Sequence, residues 1–293
     1  MKKDVQSIFP EIKLYLTRVG VTKIKKAIKV KRPNRTVVLI PEIEVVVDLP
    51  ESQKGIHMSR SNEVVNECVE ETSERPVAGM ENLCAIMARK LLKRHEYARR
   101  AEVRMVADYA IERVTPVSRI LTHEISKLEA RAIAIRKNNR TEVRKMIGAE
   151  VVGITTCPCA QEMVSSKFNF PENLPVATHN QRTTGKVLIE VPENYDIEAD
   201  ELIEIIESSL SSPTYEILKR EDELEIIIKA HKKPMFVEDV VREMAAKVIK
   251  SYGNLPDDCF IFVRAESEES IHKHNAFAEK SSTIGKLKKE MES

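Results

Sequence analysis

Gly153-Ile-Thr-Thr-Cys157-Pro-Cys159-Ala-Gln161-Glu-Met163 sets two thiols one residue apart across a proline, directly after the apolar, β-branched residues Val151, Val152 and Ile154. Proline cannot donate to a strand ladder and fixes its own φ, so a strand is expected to end here and the chain to turn. The thiols then sit at the rim of a sheet, where backbone is free to approach a ligand. A Cys-Pro-Cys triplet is tighter than the spacing of zinc knuckles and redox pairs, so the cysteines alone assign neither. The alternative is a pair of small buried hydrophobes. Thr155, Thr156 and Gln161 make this a poor core segment.

Outward from this stretch, the chain alternates between two periodicities. Towards the N-terminus, Ile12 to Val30 and Thr36 to Leu49 read as strands, with Gly20 marking a bend and Pro41 an edge or bulge. Helices are expected at Ser61–Glu71 and from Met80, where Met80, Leu83, Met87 and Leu91 recur at helical spacing. Ala101–Val114, Glu124–Arg136 and Glu142–Thr156 return to strand character. Lys137-Asn-Asn-Arg140 is a polar turn, and it divides the chain into modules at 1–140 and 141–293. The second module repeats the order with strands at Gly185–Val191, Cys259–Ala265 and Ile271–Ala278. Its helices are expected at Ile197–Leu210 and Val237–Tyr252, the latter with Val240, Val241, Met244 and Val248 on one face. Ser165–Thr178 and the charged, Pro-bounded Ser211–Pro234 read as insertions.

Composition bounds the class. With 293 residues, two modules are the prior and a core is readily built. The net charge is +1, so no global basic field recruits nucleic acid. No apolar run approaches membrane-spanning length. Five cysteines, an odd number, point to reduced thiols and a cytoplasmic setting rather than a disulfide framework.

Five motifs in order, Thr156-Cys-Pro-Cys-Ala-Gln-Glu-Met163, Thr178-His-Asn-Gln-Arg182, Lys219-Arg-Glu-Asp-Glu223, Phe236-Val-Glu-Asp239 and Glu269-Ser-Ile-His-Lys-His-Asn275, carry a family resemblance. Together they resemble the prokaryote-specific GTP cyclohydrolases. The Ala-Gln-Glu-Met continuation is nearer the archaeal branch (GTP cyclohydrolase IV, of methanopterin biosynthesis) than the bacterial type IB. The span Val164–Ala177, longer than the bacterial gap, points the same way. The resemblance implies an α+β tunnelling fold (T-fold) of two tandem ββααββ modules. Its sheets close into barrels only when several subunits meet, so a homo-oligomer, dimer or tetramer, is expected.

For the site, the resemblance implies that Cys157 and His179 bind a metal ion, their strands ending at one rim, with Glu223 as the third ligand. Glu221 is a competing choice, and the whole 220–225 run also reads as a solvated charged loop. Thiolate and imidazole suit Zn²⁺ or Fe²⁺, and an added carboxylate shifts preference towards Fe²⁺ or Mn²⁺. Fe²⁺ is the expected ion. Cys159, Glu269 and His272 are the implied proton-transfer groups, with His272 and His274 on one face of a short strand. The alternative for these is an exposed charged strand end.

Glu238 is the implied anchor for guanine, because a carboxylate accepts two parallel N–H bonds that adenine does not offer. At a helix start, Glu238 or Asp239 would also serve as a cap. The chain has only 8 glycines and no Gly-rich phosphate loop. The triphosphate is therefore expected to meet side chains, with Arg182, His274, His57 and Arg60 as candidates, the last two on a neighbour's nucleotide if sites form between subunits. The implied reaction is opening of the GTP imidazole ring at C8 with release of formate, giving 7,8-dihydroneopterin 2′,3′-cyclic phosphate and diphosphate. The bacterial branch would keep the triphosphate. A non-catalytic purine- or pterin-binding protein of the same fold is the rival from another class.

Overall fold

The computed structural model describes residues 4–32, 35–138, 140–171 and 176–292. In chain order the first elements are β1 (Leu16–Lys25), β2 (Ile28–Lys31), β3 (Thr36–Leu39), β4 (Glu42–Leu49), α1 (Met58–Glu74) and α2 (Met80–Arg94). Three long strands follow: β5 (Arg100–Val114), β6 (Leu121–Lys137) and β7 (Arg140–Thr156). The remainder is α3 (Pro158–Phe168), β8 (Asn180–Val191), α4 (Ala199–Ser208), β9 (Ser212–Pro213), α5 (Arg220–Lys232), α6 (Val237–Tyr252), β10 (Phe260–Ser267), β11 (Ala276–Thr283) and α7 (Ile284–Glu292).

One sheet runs in the order β1-β4-β5-β6-β7-β8-β10-β11, with β9 pairing β7, while β2 and β3 form a separate hairpin. The pairs β1–β4, β4–β5, β8–β10 and β10–β11 are antiparallel. Strand neighbours and helices thus give the ββααββ order twice, first as β1, β4, α1, α2, β5, β6 and then as β7, β8, α4, α6, β10, β11. Long consecutive strands explain why one sheet results: β6 enters β7 through a turn in which Asn138 takes a left-handed φ of 39°, a conformation asparagine tolerates. Asn139, also part of the expected turn, lies outside the described residues.

By contacts the chain forms two compact units. The first comprises Met1–Asp108, Leu128–Ile147 and Glu190–Asp196, and the second Tyr109–Lys127, Gly148–Ile189 and Ile197–Ser293. In the first, the α2 stripe Met80, Leu83, Met87 and Leu91 is buried, as its spacing predicts. Ile43, Val45 and Val47 of β4 and Val103 and Met105 of β5 are buried with them. In the second unit, α6 buries Val240, Val241, Met244 and Val248 as expected, adding Val237, Ala245 and Tyr252. Gly185 of β8 lies against this layer, where a Cβ would come within 2.5 Å of Ile206.

Several expectations are corrected. Gly20 is no bend: it lies inside β1, where an added Cβ would meet Val45 O at 2.0 Å. The irregularity is nearby, at a register shift between Val21 and Ile24 where Lys23 has φ 60°, the signature of a bulge. Pro41 separates two strands of different sheets rather than interrupting one. The Ser165–Thr178 insertion starts inside α3, and Ser211–Pro234 contains α5. The strand expected at Ile271–Ala278 begins only at Ala276, and α7 was not anticipated.

α5 exists because of Asp222. Its side chain is fully buried and accepts from the N–H groups of Val117 (2.9 Å), Ser118 (2.8 Å) and Lys219 (2.9 Å) and from the Ser118 hydroxyl. The charged run therefore starts a helix and pins the turn after β5. Burial opposes ionisation of Asp222, but the Ser118 hydroxyl and these N–H groups outweigh it and hold its carboxyl far below the usual range. A group with a depressed folded pKa stabilises above its unfolded value, and the contribution is lost as pH falls through the folded one. Asp222→Asn is therefore expected to melt well below the wild type at pH 7. The gap should narrow as pH drops below about 4, the ordinary carboxylate value. Melting curves of both proteins across that range check it, and equal midpoints at pH 7 would refute it.

Candidate active site

β7 stops at Thr156 because Pro158 has no N–H for a further ladder bond, and the same fixed φ suits proline to the first position of α3. Cys157 becomes the N-cap, its Sγ accepting from Ala160 N at 3.4 Å. A helix N-terminus favours negative charge at this point. Cys157 N donates to His179 O (3.1 Å), and Thr178 Oγ1 donates to Cys157 O (2.7 Å). The two residues expected to share an ion are thus held backbone to backbone, at the end of β7 and just before β8.

Three further bonds fix the surroundings. Gln161 Nε2 donates to His231 O (2.8 Å) and Val176 O (3.2 Å), and Thr156 Oγ1 donates to Ala230 O (2.8 Å). The polar residues of the opening motif therefore tie α3 and the C-terminal end of α5 to the rim. Cys159 lies exposed in the first turn of α3.

Beneath the rim, three buried hydroxyls span three adjacent strands. Thr183 Oγ1 is 2.6 Å from Thr155 Oγ1 and 2.7 Å from Ser267 Oγ. All three residues are at most 1% exposed. The β8–β10 ladder places Ser267 opposite Thr183 and continues with Glu268 N donating to Arg182 O at 2.9 Å. That extension brings half-buried Glu269 to the rim. The next residue, Ser270, has its Oγ 3.3 Å from His179 Nδ1.

His272 and His274 do not lie on a strand as expected, but in the exposed bend before β11. Charged and polar residues fill this connection, and no buried apolar alternation draws it into the sheet. Their rings are nonetheless side by side, stacked with centroids 5.1 Å apart. Arg182 is exposed on β8, and alternation puts it on the opposite sheet face from Thr183.

Glu221 and Glu223 are exposed on the first turn of α5, which is a helix and not the loop their charge suggested. Among the described residues no three His, Cys, Asp or Glu side chains gather into a metal-holding group. Cys157 and His179 fit a divalent ion as a thiolate and imidazole pair from adjoining backbone positions. Neither glutamate is brought into a cluster with them.

Glu238 is exposed in the first turn of α6 and lines a cavity of about 570 Å³ with Val241, Arg242, Ala245, Lys280 and Leu287. Phe236 N donates to Asp239 Oδ2 (3.2 Å), so Asp239 caps the helix and leaves Glu238 out of that task. His57 and Arg60 belong to the first unit. His57 Nε2 is 3.0 Å from Asp4 Oδ2, and the Ser7 hydroxyl and His57 hold the Asp4 carboxyl down at about 2. Arg60 donates to Arg94 O (3.3 Å). Nearby His95 is fully buried between Ser61 and Tyr97, and burial lowers its pKa to about 4. It is a neutral structural histidine.

Residues 2–278 match the family model described as Type I GTP cyclohydrolase folE2. The chain is 47% identical to the GTP cyclohydrolase MptA of Methanothermobacter thermautotrophicus, covering 99% of this chain and 96% of that protein. It is 46% identical to MptA of Methanobrevibacter smithii (98% and 97% covered) and 45% identical to MptA of Methanococcus aeolicus (98% and 99%). Among solved structures it is similar to a uricase from Bacillus fastidious (TM-score 0.53, 10% identity, 97% and 98% covered). A uricase from Arthrobacter globiformis matches with the same TM-score and identity (94% and 96% covered). At that identity the likeness speaks for the fold alone, and it bears out the α+β tunnelling fold.

The hydroxyl ladder makes a test of how the rim is held. Thr183→Val leaves the hydroxyls of Thr155 and Ser267 buried without their shared partner, at a cost of about 1–3 kcal/mol. Thr183→Ser keeps the bonds and should lose less. Denaturant unfolding of both variants measures the difference, and a valine variant as stable as the serine one would refute it.

Proposed function

The chain belongs to the GTP cyclohydrolase family, on the branch whose members are named MptA, and from that premise we propose how its residues open the guanine ring of GTP. The observation that carries the reading is the junction of Cys157 and His179, backbone-bonded at one rim with Glu269 and Cys159 beside it in sequence and ladder. These are the residue types that hydrolysis at a ring carbon requires: ligands for a Lewis acid and groups that move protons.

Cys157 and His179 would hold a divalent ion, Fe²⁺ on the strength of a thiolate, an imidazole and a carboxylate donor, with Mn²⁺ or Zn²⁺ as the other options. When bound, such an ion supplies an activated water for attack at C8. Glu223 is the proposed third ligand. It would reach the ion in the assembled or loaded protein, because it stands apart on α5 in the single chain.

Glu238 accepts the guanine N1–H and N2–H, an orientation that fixes which ring carbon faces the rim. Asp239 already caps α6, so the Glu238 oxygens are available for a ligand. Cys159, Glu269 and His272 exchange protons with N9 and N7 as two waters in turn hydrolyse the C8–N9 and N7–C8 bonds and formate departs. His274, stacked on His272, and Arg182 take up phosphate charge. His57 and Arg60 are assigned the same task on a neighbouring subunit's nucleotide.

The β1 and β11 edges of the sheet carry strand groups open to pairing, which favours a homo-oligomer, dimer or tetramer, closing the sheets into barrels. We assign the product as 7,8-dihydroneopterin 2′,3′-cyclic phosphate with diphosphate, a step of methanopterin biosynthesis, because the Ala-Gln-Glu-Met continuation at 160–163 resembles the archaeal branch, and relatives at 45–47% identity are named GTP cyclohydrolase MptA.

Incubating metal-loaded protein with GTP and weighing the product tests the assignment. Retention of all three phosphates would replace it with the triphosphate reaction. Cys157→Ala and His179→Ala should each lose bound metal and activity together, and wild-type metal content in either variant would remove that residue from the ligand set.

Glu238→Gln sets an amide donor opposite donors, costing about 2–4 kcal/mol, or on the order of a hundredfold in GTP affinity. Metal content and melting temperature should hold, since neither the ligands nor the Asp239 cap is touched. Unchanged affinity would mean that the anchor is elsewhere.

A further inference from the structure

We infer that Gln181 is a positioning residue that fixes the tautomer of His179 and so selects the nitrogen it offers to a metal. The inference rests on the reading that Cys157 and His179 hold the ion. Gln181 Oε1 is 3.2 Å from His179 Nδ1, and Ser270 Oγ approaches the same nitrogen at 3.3 Å. An amide oxygen only accepts, so Nδ1 carries the proton and donates it. Nε2 is left with its lone pair, and among the described residues it makes no hydrogen bond. A neutral imidazole protonated at Nδ1 and bare at Nε2 is the form that ligates a cation.

The placement is built into the sheet. Gln181 and Thr183 alternate along the start of β8, with His179 immediately before it, and Thr183 is anchored below by Thr155 and Ser267. With Thr183 locked, the Gln181 backbone two residues before it is held by the same strand. His179 is held in turn by the Cys157 N–H on its carbonyl. Both partners of the Nδ1 bond are therefore on supported backbone. Ser270 adds a consequence: it stands next to Glu269 in the connection that also bears His272 and His274. The nitrogen that Gln181 orders also receives the loop carrying the proton-transfer groups.

The full-length protein, stripped of metal, is titrated with Co²⁺ as Gln181→Leu, Gln181→Glu and wild type, following the thiolate-to-cobalt absorption band. Gln181→Leu should bind Co²⁺ about 10- to 100-fold more weakly, the usual loss when a ligand's supporting partner is removed. Gln181→Glu retains an acceptor oxygen and should recover most of the affinity, with melting temperatures alike in all three. In parallel, long-range ¹H–¹⁵N correlation on the metal-free wild type should show His179 protonated at Nδ1.

Equal Co²⁺ affinity in the leucine variant, or a loss in the glutamate variant as large as in leucine, overturns the inference. So does an Nε2-protonated His179 in the wild type. Absence of a thiolate band in the wild type would strike instead at the ligand assignment, while the tautomer measurement would still decide the pairing.

Discussion

Pro158 cannot continue a strand ladder, and the local structure of the site follows from that missing N–H. β7 ends, the chain turns, and the proline's fixed φ becomes the first residue of α3. Cys157, caught between strand and helix, has its N–H free to bond His179 O and its sulfur facing the helix N-terminus. Below the break the sheet is held by side-chain hydroxyls in place of further apolar packing: Thr155, Thr183 and Ser267 are buried yet fully bonded to one another, the condition on which buried polar groups are tolerated. The rim is thus rigid from beneath and open above.

What was legible in the sequence was what local periodicity encodes. The α2 and α6 stripes, the long strands β5 to β7 and the stop at Pro158 all depend on near neighbours in the chain, and they stand as read. What was missed depends on partners far away in sequence. Arg220 to Glu225 looks like a solvated loop because its charges have no local reason to be ordered. The reason is Asp222, whose partners Val117 and Ser118 lie more than a hundred positions earlier. Gln161 and Thr156 read only as a sign of a poor core segment until the carbonyls of His231 and Ala230 are seen opposite them.

The candidate site divides along the same line. Cys157 and His179 are adjacent through strand pairing, a relation that two consecutive strand ends make plain. Glu223, on a helix whose existence was not foreseen, has a position that spacing does not fix. The His272 and His274 pair shows a different limit: alternation placed both rings on one face of a strand. The rings do stack, but a bend brings them together, so the juxtaposition was right and its cause was not.

Two glutamates at equivalent helix positions show how differently the same position leaves a carboxylate placed. Glu81 is the second residue of α2 and Glu238 the second of α6. Glu81 is 2% exposed, and burial pushes its carboxyl above the usual range. Its sequence neighbour Asn82 joins fully buried Lys145, whose Nζ meets Asp196 Oδ1 at 2.8 Å. The carboxyl itself crowds Gly79, where an added Cβ would sit 2.3 Å from its oxygens. No room remains there for a ligand, and a carboxyl made harder to ionise is a weaker acceptor for two N–H groups. Glu238 is exposed beside a cavity, and the neighbouring Asp239 takes the capping duty that would otherwise occupy it. Helix position alone gives both residues the same favourable dipole. The difference lies in whether their oxygens are already enclosed: those of Glu81 are, while those of Glu238 stand open beside the cavity.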